Sequence, residues 1–451
     1  MSVTASRLAS LACLATPAAH ALIWQPPFGT ASGNMQSAVS GPTSGPMQKL
    51  FTITITSPQP PSKVPAQIVG FTSTGVAVIL GTITSQQYPL LAQGYYVAAY
   101  QNALPLYANP TTISCQYSGQ QTCQSVSVAF DDNFIYVATT GLVGQGPPYG
   151  PYSTQSSMTI LNLTTGATLA SPFGYNGAPS PLTVFVNAAD APGDGPGAAG
   201  LTWVTGNYSA LAGVFDGSQF AGGNSTLSVN VTACTLGHQL YAVCELSSPG
   251  GMAVLRADGP GGGPALVWDD FVGPLFIADD VGPNGALVVD TDYGGYYGNT
   301  LVACDLATGS ELWAFAKPAN ATISAWAYNG AGILMLKSFF DAGAQFSARF
   351  DTFAVNSTTM TLLSTASARA FPPPAGEDSL TFDAGGATAY TFNSDGGDWT
   401  VLAIKAGVSG AGAISSLFAD PTLQTPTPII AGPKATQLTV QDDAFTVAIY
   451  M

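Results

Sequence analysis

The sequence predicts an all-β protein built from short antiparallel strands, and its composition supplies two of the three reasons. Only 8 % of the 451 residues are charged, whereas roughly a quarter are charged in an average soluble domain. Gly, Thr, Ser and Val, which favour turns and strands, are abundant, while the helix formers Lys, Glu and Arg are scarce. The third reason is a unit of strands and turns that recurs along the chain.

Charge and hydrophobicity exclude two classes of protein. The chain has 10 Lys and Arg residues against 25 Asp and Glu residues, and its formal net charge is −15. So few bases cannot neutralise a phosphate backbone, so we expect no nucleic-acid partner. Hydrophobic residues make up 46 % of the chain, which argues against intrinsic disorder.

Residues 1–21 have the pattern of a secretory signal peptide. Arg7 supplies the positive charge of the N-terminal region, residues 8–15 are apolar, and Ala19-His20-Ala21 is a small-x-small cleavage site. No later segment is apolar over about 18 residues, the length that a membrane-spanning helix needs. We therefore expect a secreted, extracellular protein without a membrane span, whose residues 22–451 form a single domain.

Six N-x-S/T sequons follow the predicted signal peptide. In the eukaryotic secretory pathway such sequons accept N-linked glycans, which would help to solubilise a surface with few charges. The predicted glycosylation sites are Asn162, Asn207, Asn224, Asn230, Asn320 and Asn356.

The cysteine spacing suits an oxidising compartment. Cys115 and Cys123 are eight residues apart, and Cys234 and Cys244 are ten apart, so each pair suits a local disulfide that closes a hairpin or loop. Cys304 lies in an apolar stretch and is expected to be a buried free thiol. No C-x-x-C motif occurs, so a structural zinc site is not expected.

A unit recurs that consists of a short strand, a turn rich in Asp, Gly or Asn, and a more apolar strand. A third strand, a second turn and a fourth strand follow, and from Ala212 onward the third strands start at intervals of 42, 49, 51 and 49 residues. A period of about fifty residues with four short strands is typical of a β-propeller blade. Copies of the first turn and second strand are residues 131–137, 237–243, 284–289, 329–335, 385–390 and 442–447.

The best copy of the third strand and second turn is Ala303-Cys304-Asp305-Leu306-Ala307-Thr308-Gly309-Ser310-Glu311-Leu312-Trp313. We expect Asp305 and Thr308 to fix a tight turn, Gly309 to take a left-handed conformation, and Trp313 to pack between blades. This pattern resembles the repeat of the pyrroloquinoline-quinone-type, quinoprotein dehydrogenase-like β-propellers. The resemblance implies propeller blades over most of residues 64–416.

The same resemblance implies an enzyme that uses the quinone with a calcium ion, a catalytic Asp and adjacent cysteines. This chain has no Cys-Cys pair, and its bases form no cluster in the sequence. No residue is therefore carried over as catalytic.

Seven complete units can be counted, and the two ends of the chain supply another. Residues 436–450 give two strands, and the apolar run of residues 50–56 completes their blade, which leaves no sheet edge at the end of the ring. The Pro-rich residues 421–435 form a linker into this closing blade. We predict eight blades, with seven as the alternative because the third and fourth units are irregular. The seven units span residues 66–112, 125–178, 182–222, 227–270, 274–317, 322–366 and 379–416.

The loops between second and third strands are expected to share one face of a propeller with the connections between blades. Here these loops are rich in aromatic and acidic residues, which suit a carbohydrate because sugar C–H faces stack on aromatic rings and hydroxyls bond to carboxylates. The alternative is that they are ordinary turns. The candidate ligand-face residues are Tyr149, Tyr152, Tyr208, Asp292, Tyr296, Tyr297, Phe340, Asp395 and Trp399.

Two of these loops also resemble oxygen-rich calcium loops, with a solvated turn as the alternative. They are Asp290-x-Asp292-x-Gly294 and Asn393-x-Asp395-Gly396-Gly397-Asp398. The candidate calcium ligands are therefore Asp290, Asp292, Asn393, Asp395 and Asp398. Acidic pairs in the opposite set of turns, such as Asp131-Asp132, are expected to form hairpin turns.

Catalytic motifs are scarce. The chain has no G-x-S-x-G, H-E-x-x-H, Walker or dinucleotide glycine motif, and His238 is the one histidine beyond the predicted signal peptide. We therefore expect a non-catalytic binding or scaffold protein with an extracellular carbohydrate or protein ligand and no cofactor beyond a calcium ion. The alternatives are a quinone-dependent alcohol or sugar dehydrogenase and a structural component of an extracellular matrix or cell wall.

Overall fold

The computed structural model describes most of the chain from residue 41 onward, with gaps. Within it the strands pair antiparallel and one short 3₁₀ helix covers Ala411–Ala413. The described residues are 41–54, 66–72, 76–84, 92–101, 104–114, 122–143, 153–176, 182–187, 201–247, 251–270, 272–291, 300–317, 322–341, 346–369, 379–383, 385–394, 399–423, 429–431, 438–443 and 446–451. In these ranges, no helix has the length and apolar character that crossing a bilayer requires.

The chain divides into two compact units. The central unit runs from Ile55 to Leu312, and the terminal unit combines Asn34–Thr54 with Trp313–Met451. The strands form seven sheets, A to G in chain order, and most have four strands in sequential order. This confirms the predicted fold class, an all-β chain of four-stranded, propeller-type sheets.

The sheets named A to D belong chiefly to the central unit. Sheet A comprises Ala66–Phe71, Val76–Thr84, Ala92–Gln101, Leu104–Pro105 and Thr111–Ser114. Sheet B comprises Thr122–Phe130, Phe134–Val143, Ser153–Asn162 and Thr168–Asn176. Sheet C comprises Thr183–Asn187, Leu201–Phe215, Phe220–His238, Tyr241–Leu246, Met252–Arg256 and Ala265–Asp270. Sheet D comprises Gly273–Ala278, Ala286–Asp290, Thr300–Asp305 and Glu311–Ala316.

The sheets named E to G belong to the terminal unit. Sheet E comprises Thr322–Tyr328, Ile333–Asp341, Phe346–Val355 and Met360–Arg369. Sheet F comprises Leu380–Phe382, Thr388–Ser394, Trp399–Lys405 and Ile414–Asp420. Sheet G comprises Ile429–Ala431, Leu438–Asp443, Thr446–Tyr450 and Lys49–Thr54.

Sheet G joins the two ends of the described chain. Lys49–Thr54 pairs with Thr446–Tyr450, as predicted for the closing blade. The first strand of the sheet, Ile429–Ala431, lies inside the stretch predicted as a Pro-rich linker. The apolar faces of sheets F and G share a core with Met47, so the segment before Lys49 is also part of this unit.

Sheet C differs from the predicted pattern, because it contains both the third and the fourth predicted unit. A loop was predicted after the second strand of the third unit, but Leu201–Phe215 is one continuous strand. Asn207 lies within it at a φ of 57°, and the register shifts between Asn207 and Ser209. A local bend therefore takes the place of a loop, and the choice between seven and eight blades stays a prediction.

The first turn of sheets B, E and F is closed by a polar side chain that accepts backbone N–H groups. Asp131 Oδ1 accepts from the N–H groups of Asn133 and Phe134, both at 2.7 Å, which confirms Asp131 as a turn former. Asn329 and Asp383 occupy the same place in sheets E and F and make equivalent bonds. Each cap satisfies N–H groups that the strand ladder leaves unpaired.

The predicted turn of sheet D is confirmed in detail. Asp305 Oδ1 accepts from the N–H and hydroxyl of Thr308, both at 2.9 Å, and Gly309 has a φ of 70°. Trp313 is buried, and its Nε1 donates to the carbonyl oxygen of Asn356 at 3.0 Å. Trp268 makes the same kind of bond to the carbonyl oxygen of Leu306.

A backbone hydrogen bond links the turn after the third strand to the turn after the first strand in several sheets. Donor and acceptor residues are Leu163 and Asn133, Leu306 and Gly285, Val355 and Gly332, and Ala406 and Ala387. These two turns therefore lie at the same end of sheets B, D, E and F, which we call the turn end. The opposite end, where the second strand leads into the third, is the loop end.

The disulfide-bonded cysteines follow the prediction where the structure describes them. Cys234 and Cys244 form a disulfide across adjacent strands of sheet C. Cys123 is also disulfide-bonded, but Cys115 lies outside the described residues, so their pairing stays a prediction. Cys304 departs from the prediction in one respect, since it is a free thiol as predicted but is only partly buried.

Candidate functional site

Three of the nine predicted ligand-face residues fall within the described residues. Trp399 is the first residue of the third strand of sheet F, at its loop end, and Phe340 lies near the end of the second strand of sheet E. Tyr208 is 48 % exposed, but it lies inside a strand of sheet C, where the predicted loop is absent. The residues outside the described part are Tyr149, Tyr152, Asp292, Tyr296, Tyr297 and Asp395.

Two of the five calcium candidates are described. Asp290 ends the second strand of sheet D, and Asn393 is the penultimate residue of the second strand of sheet F. Asp292, Asp395 and Asp398 lie outside the described residues. Within the described part, no three His, Cys, Asp or Glu side chains come together as a metal site would need.

The loop end of sheet F brings together the best-defined candidate group. Trp399 pairs with Ser394 on one side and with Asp420 on the other. The Trp399 ring is partly exposed and lies edge to face against Phe392, with 6.2 Å between ring centroids and 83° between ring planes. Packing against a buried aromatic residue restricts the Trp399 ring, which suits a preorganised contact surface.

Asn393 joins this loop end to the connection that follows sheet E. Its Nδ2 donates to the carbonyl oxygen of Arg369, the last residue of sheet E, at 2.8 Å. This contact fixes the orientation of the amide, because a carbonyl oxygen can only accept. Asn393 is 8 % exposed, and its Oδ1 has no donor among the described residues. The site therefore contains a buried acceptor oxygen with unused capacity.

Lys337 lies beneath the same loop end. Its side chain is 1 % exposed, and Nζ donates to Thr391 Oγ1 at 3.0 Å and to the carbonyl oxygen of Phe392 at 2.8 Å. Nζ also lies 5.2 Å from the centre of the Phe339 ring, a distance typical of a cation–π contact. These contacts tie the second strand of sheet E to the second strand of sheet F just before Asn393.

Asp420 supplies the carboxylate at the loop end of sheet F. Its Oδ2 accepts from Lys49 Nζ and from the Tyr450 hydroxyl, both at 2.7 Å, and its Oδ1 accepts from the N–H of Thr422 at 2.8 Å. Burial alone would raise the pKa of Asp420, but the hydrogen bonds from Lys49, Thr422 and Tyr450 outweigh burial and hold that pKa well below its ordinary value. Asp420 is therefore ionised at neutral pH.

The free thiol lies in the central unit and is poorly suited to nucleophilic chemistry. Burial, with smaller contributions from Asp270 and Glu311, raises the pKa of Cys304 to about 11. Because the thiolate is the reactive form, Cys304 stays protonated and weakly nucleophilic near neutral pH.

Sequence reasoning found Trp399 and Asn393 but missed the charged residues around them. Lys337, Arg369 and Asp420 are far apart in the chain and form no motif. One local signal was present, since Lys337 interrupts the apolar run Ile333-Leu334-Met335-Leu336. A lone charge in the middle of a buried strand indicates a residue with a specific partner.

Comparisons with known proteins bear on the fold alone. No protein-family model matches the sequence, and no curated protein matches it significantly. A structure of BamB from Moraxella catarrhalis is 12 % identical and covers 90 % of this chain and 97 % of that chain, with a TM-score of 0.35. The WD40 repeats of RRP9 are 10 % identical and cover 76 % of this chain and 92 % of that chain, also with a TM-score of 0.35. A Lactobacillus plantarum protein is 12 % identical and covers 80 % of this chain and 97 % of that chain, with a TM-score of 0.39.

Proposed function

We propose that this chain is a secreted, glycosylated and non-catalytic binding protein, and that the loop end of sheet F takes an extracellular carbohydrate. The observation that carries the proposal is the grouping of Trp399, Asn393 and Asp420 at one end of one sheet. The aromatic ring offers a stacking surface for the C–H face of a sugar. Asn393 Oδ1 is buried close to this ring and has spare acceptor capacity, so a sugar hydroxyl that reaches it would gain a hydrogen bond.

The charged groups of this site support binding better than acid–base catalysis. Asp420 accepts hydrogen bonds from three side chains, and Lys337 donates to two oxygen atoms. A general acid or base needs a proton position that can face the substrate. Here the two groups hold the strands in register, and the aromatic ring and the amide oxygen are left for a ligand.

A glycan array with purified wild-type protein and two variants tests the proposal. Trp399→Ala removes the stacking surface, and Asn393→Ala removes the acceptor oxygen. We expect each variant to weaken binding of the same glycans by on the order of 1–3 kcal/mol, which is about 5- to 150-fold, the range of aromatic hot spots and buried polar contacts. Leu363→Ala, which removes an exposed apolar side chain from the fourth strand of sheet E, is the control and should bind like the wild type.

Two results would contradict this assignment. Equal loss with Leu363→Ala would place recognition elsewhere, and the absence of any bound glycan would favour a protein ligand or no ligand. The experiment also requires that Trp399→Ala is fully folded at the assay temperature, as measured by circular dichroism, so that lost binding is not lost folding.

Two other functions remain alternatives, and each has its own measurement. The turn of residues 303–313, through its family resemblance, favours a quinone-dependent dehydrogenase, for which pyrroloquinoline quinone with calcium should raise the melting temperature. Concentration-dependent self-association, measured by sedimentation, would favour a structural matrix or wall component. An unchanged melting temperature and a constant sedimentation coefficient leave the binding function.

A further inference from the structure

Two hairpin turns of this protein are closed by an aspartate that uses a single oxygen atom. Asp305 Oδ1 accepts from the N–H and the hydroxyl of Thr308. Asp216 Oδ1 accepts from the N–H and hydroxyl of Ser218 and from the N–H of Gln219, all at 2.8 Å. Each turn therefore needs one acceptor oxygen from the side chain, and a neutral amide can supply it.

Two further turns have asparagine in the same role. Asn162 Oδ1 accepts from the N–H of Thr164 at 3.0 Å and from its hydroxyl at 2.8 Å. Asn356 Oδ1 accepts from the N–H of Thr358 at 2.9 Å and from its hydroxyl at 3.0 Å. The contacts that close both turns use Oδ1, and Nδ2 takes no part in them.

Both asparagines belong to N-x-T sequons. The threonine of each sequon bonds to Oδ1 through its N–H and its hydroxyl, and the N–H of the threonine that follows bonds to the same oxygen. Asn356 is exposed and Asn162 is partly exposed, as are most of the turn residues that follow them. Such turns form from three or four consecutive residues, so they can form before the sheets assemble. In each turn the asparagine Oδ1 therefore bonds to donors of the same turn, and the amide nitrogen Nδ2 is left for modification.

We propose that Asn162 and Asn356 carry N-linked glycans and that the turn at each site presents Nδ2 to the transferring enzyme. This proposal rests on the proposed function, in which the protein passes through the secretory pathway. The donor is an oligosaccharide linked to a lipid diphosphate. Nδ2 forms a bond to the anomeric carbon, the bond from that carbon to the diphosphate oxygen breaks, the lipid diphosphate leaves, and one amide proton passes to a base of the enzyme.

Each of these two turns lies at a defined end of its own sheet. Leu163 and Val355, which adjoin Asn162 and Asn356, bond to the first turns of sheets B and E. Both sequons therefore lie at the turn ends of their sheets. Glycans there would cover the turn ends and leave the loop ends open.

The other described sequons lie in a different setting. Asn207 belongs to the strand Leu201–Phe215, while Asn224 and Asn230 belong to the strand Phe220–His238 of sheet C. None of them begins a turn with the hydrogen bonds that Asn162 and Asn356 share. We therefore expect the turn sequons to be occupied more fully than the strand sequons.

Site mapping of the secreted, full-length protein from eukaryotic cells is the first test. Enzymatic removal of the glycans in ¹⁸O-labelled water marks each formerly glycosylated asparagine as a labelled aspartate in peptide mass spectra. We expect labelled aspartate at positions 162 and 356. Asn356→Asp should lose one glycan and keep the melting temperature of the deglycosylated wild type, because an aspartate fills the same place at Asp305.

A single substitution tests whether the turn itself presents the site. Asp216→Asn converts Asp216-Gly217-Ser218 into a sequon within a turn that already has the required hydrogen bonds. We expect this variant to gain one glycan, seen as a shift in mass that glycosidase treatment reverses. Asp216→Asn/Ser218→Ala has the same turn residue without the sequon and should gain none.

The outcomes separate this proposal from the function on which it rests. The role of the turns alone would be overturned by glycans on the strand sequons together with unmodified Asn162 and Asn356. It would also be overturned if Asp216→Asn gained no glycan in a protein that is glycosylated elsewhere. A protein that is retained in the cell and has no glycan at any sequon would overturn this proposal together with the secretory part of the proposed function.

Discussion

The turn ends and the loop ends of the sheets are held by contacts of different range. At the turn end of sheet E, Asn329 Oδ1 accepts from the N–H groups of Ala331 and Ile333, which lie within four residues of it. At the loop end of sheet F, Asn393 Nδ2 donates to the carbonyl oxygen of Arg369, which belongs to another sheet. The turn ends are therefore closed chiefly by local hydrogen bonds, although Asn329 Nδ2 also donates to the carbonyl oxygen of Gly386 in sheet F at 3.4 Å. The bond of Asn393 at the loop end is made to a distant residue alone.

The two ends also differ in how fully their polar atoms are used. Asn329 and Asn393 are 9 % and 8 % exposed. Asn329 Oδ1 accepts hydrogen bonds from two backbone N–H groups, whereas Asn393 Oδ1 has no donor among the described residues. Since a buried acceptor without a donor costs free energy of folding, the loop end of sheet F is less stable than it would be if Asn393 Oδ1 had a donor.

The largest expected effect is on the free energy of unfolding, and it compares Trp313, which packs near a turn, with Trp399 at the loop end of sheet F. Trp313 is 6 % exposed and donates to the carbonyl oxygen of Asn356, so Trp313→Ala should lower the free energy of unfolding by about 3–5 kcal/mol. Trp399→Ala should cost less, since Trp399 is only partly buried. Urea unfolding monitored by circular dichroism measures both.

A conservative variant separates packing from hydrogen bonding at this position. Trp313→Phe keeps most of the buried surface and loses the Nε1 hydrogen bond, so it should cost about 1–2 kcal/mol. Similar losses for Trp313→Ala and Trp399→Ala would show that the two tryptophans share one structural role, contrary to the comparison.

The next effect concerns the charge at the loop end of sheet F. Hydrogen bonds from Lys49, Thr422 and Tyr450 lower the pKa of Asp420 below its unfolded value despite the opposing effect of burial. A lowered folded-state pKa gives stability that is present above the unfolded pKa and is lost as the pH falls through the folded pKa. We expect the wild type to lose on the order of 2 kcal/mol from this residue as the pH falls from about 5 towards 2.

The matched variants for this prediction are Asp420→Asn and Asp216→Asn. Asp420→Asn should lower stability at neutral pH and flatten the acid limb of a plot of unfolding free energy against pH. Asp216 also has a lowered pKa, of about 2, caused chiefly by the N–H groups of Gln219 and Ser218. Because Asp216 is exposed, Asp216→Asn produced in cells that do not glycosylate it should change the curve little. An unchanged acid limb in Asp420→Asn would contradict the assignment.

A smaller effect tests the interchange of aspartate and asparagine at the turns. Asp305→Ala removes the acceptor of the Thr308 N–H and hydroxyl and should cost about 1–2 kcal/mol. Asp305→Asn should be nearly neutral, because Asn162 and Asn356 close equivalent turns with a neutral amide. A large loss with Asp305→Asn would mean that the turn needs the negative charge, and the equivalence of these turns would fail.

These contrasts explain which parts of the structure could be predicted from the sequence. The turn of Asp305, Thr308 and Gly309 was predictable because its hydrogen bonds and its left-handed residue lie within five positions of the chain. The pairing of Lys49–Thr54 with the C-terminal strand was predictable because the repeat left one blade short of strands. Both inferences needed only local pattern and strand counting.

The parts that could not be predicted depend on contacts between distant residues or on the absence of a turn. Nothing in the sequence around Asn207 shows that the chain continues as one strand there, because an asparagine at positive φ is as consistent with a loop as with a bend. Lys337, Arg369 and Asp420 were missed as members of the site because their partners lie on other strands. Trp399 was found by its loop position, but its support by Phe392 needed the structure.

The smallest expected effect compares the two buried asparagines directly. Asn393→Ala removes one hydrogen bond to the carbonyl oxygen of Arg369 and also removes a buried oxygen without a donor. The loss and the gain nearly offset each other, so the free energy of unfolding should change by less than about 0.5 kcal/mol. Asn329→Ala leaves the N–H groups of Ala331 and Ile333 without their acceptor and should cost about 2 kcal/mol. Equal losses at the two positions, measured under the same urea unfolding conditions, would show that Asn393 is a structural cap like Asn329 and would remove it from the proposed carbohydrate site.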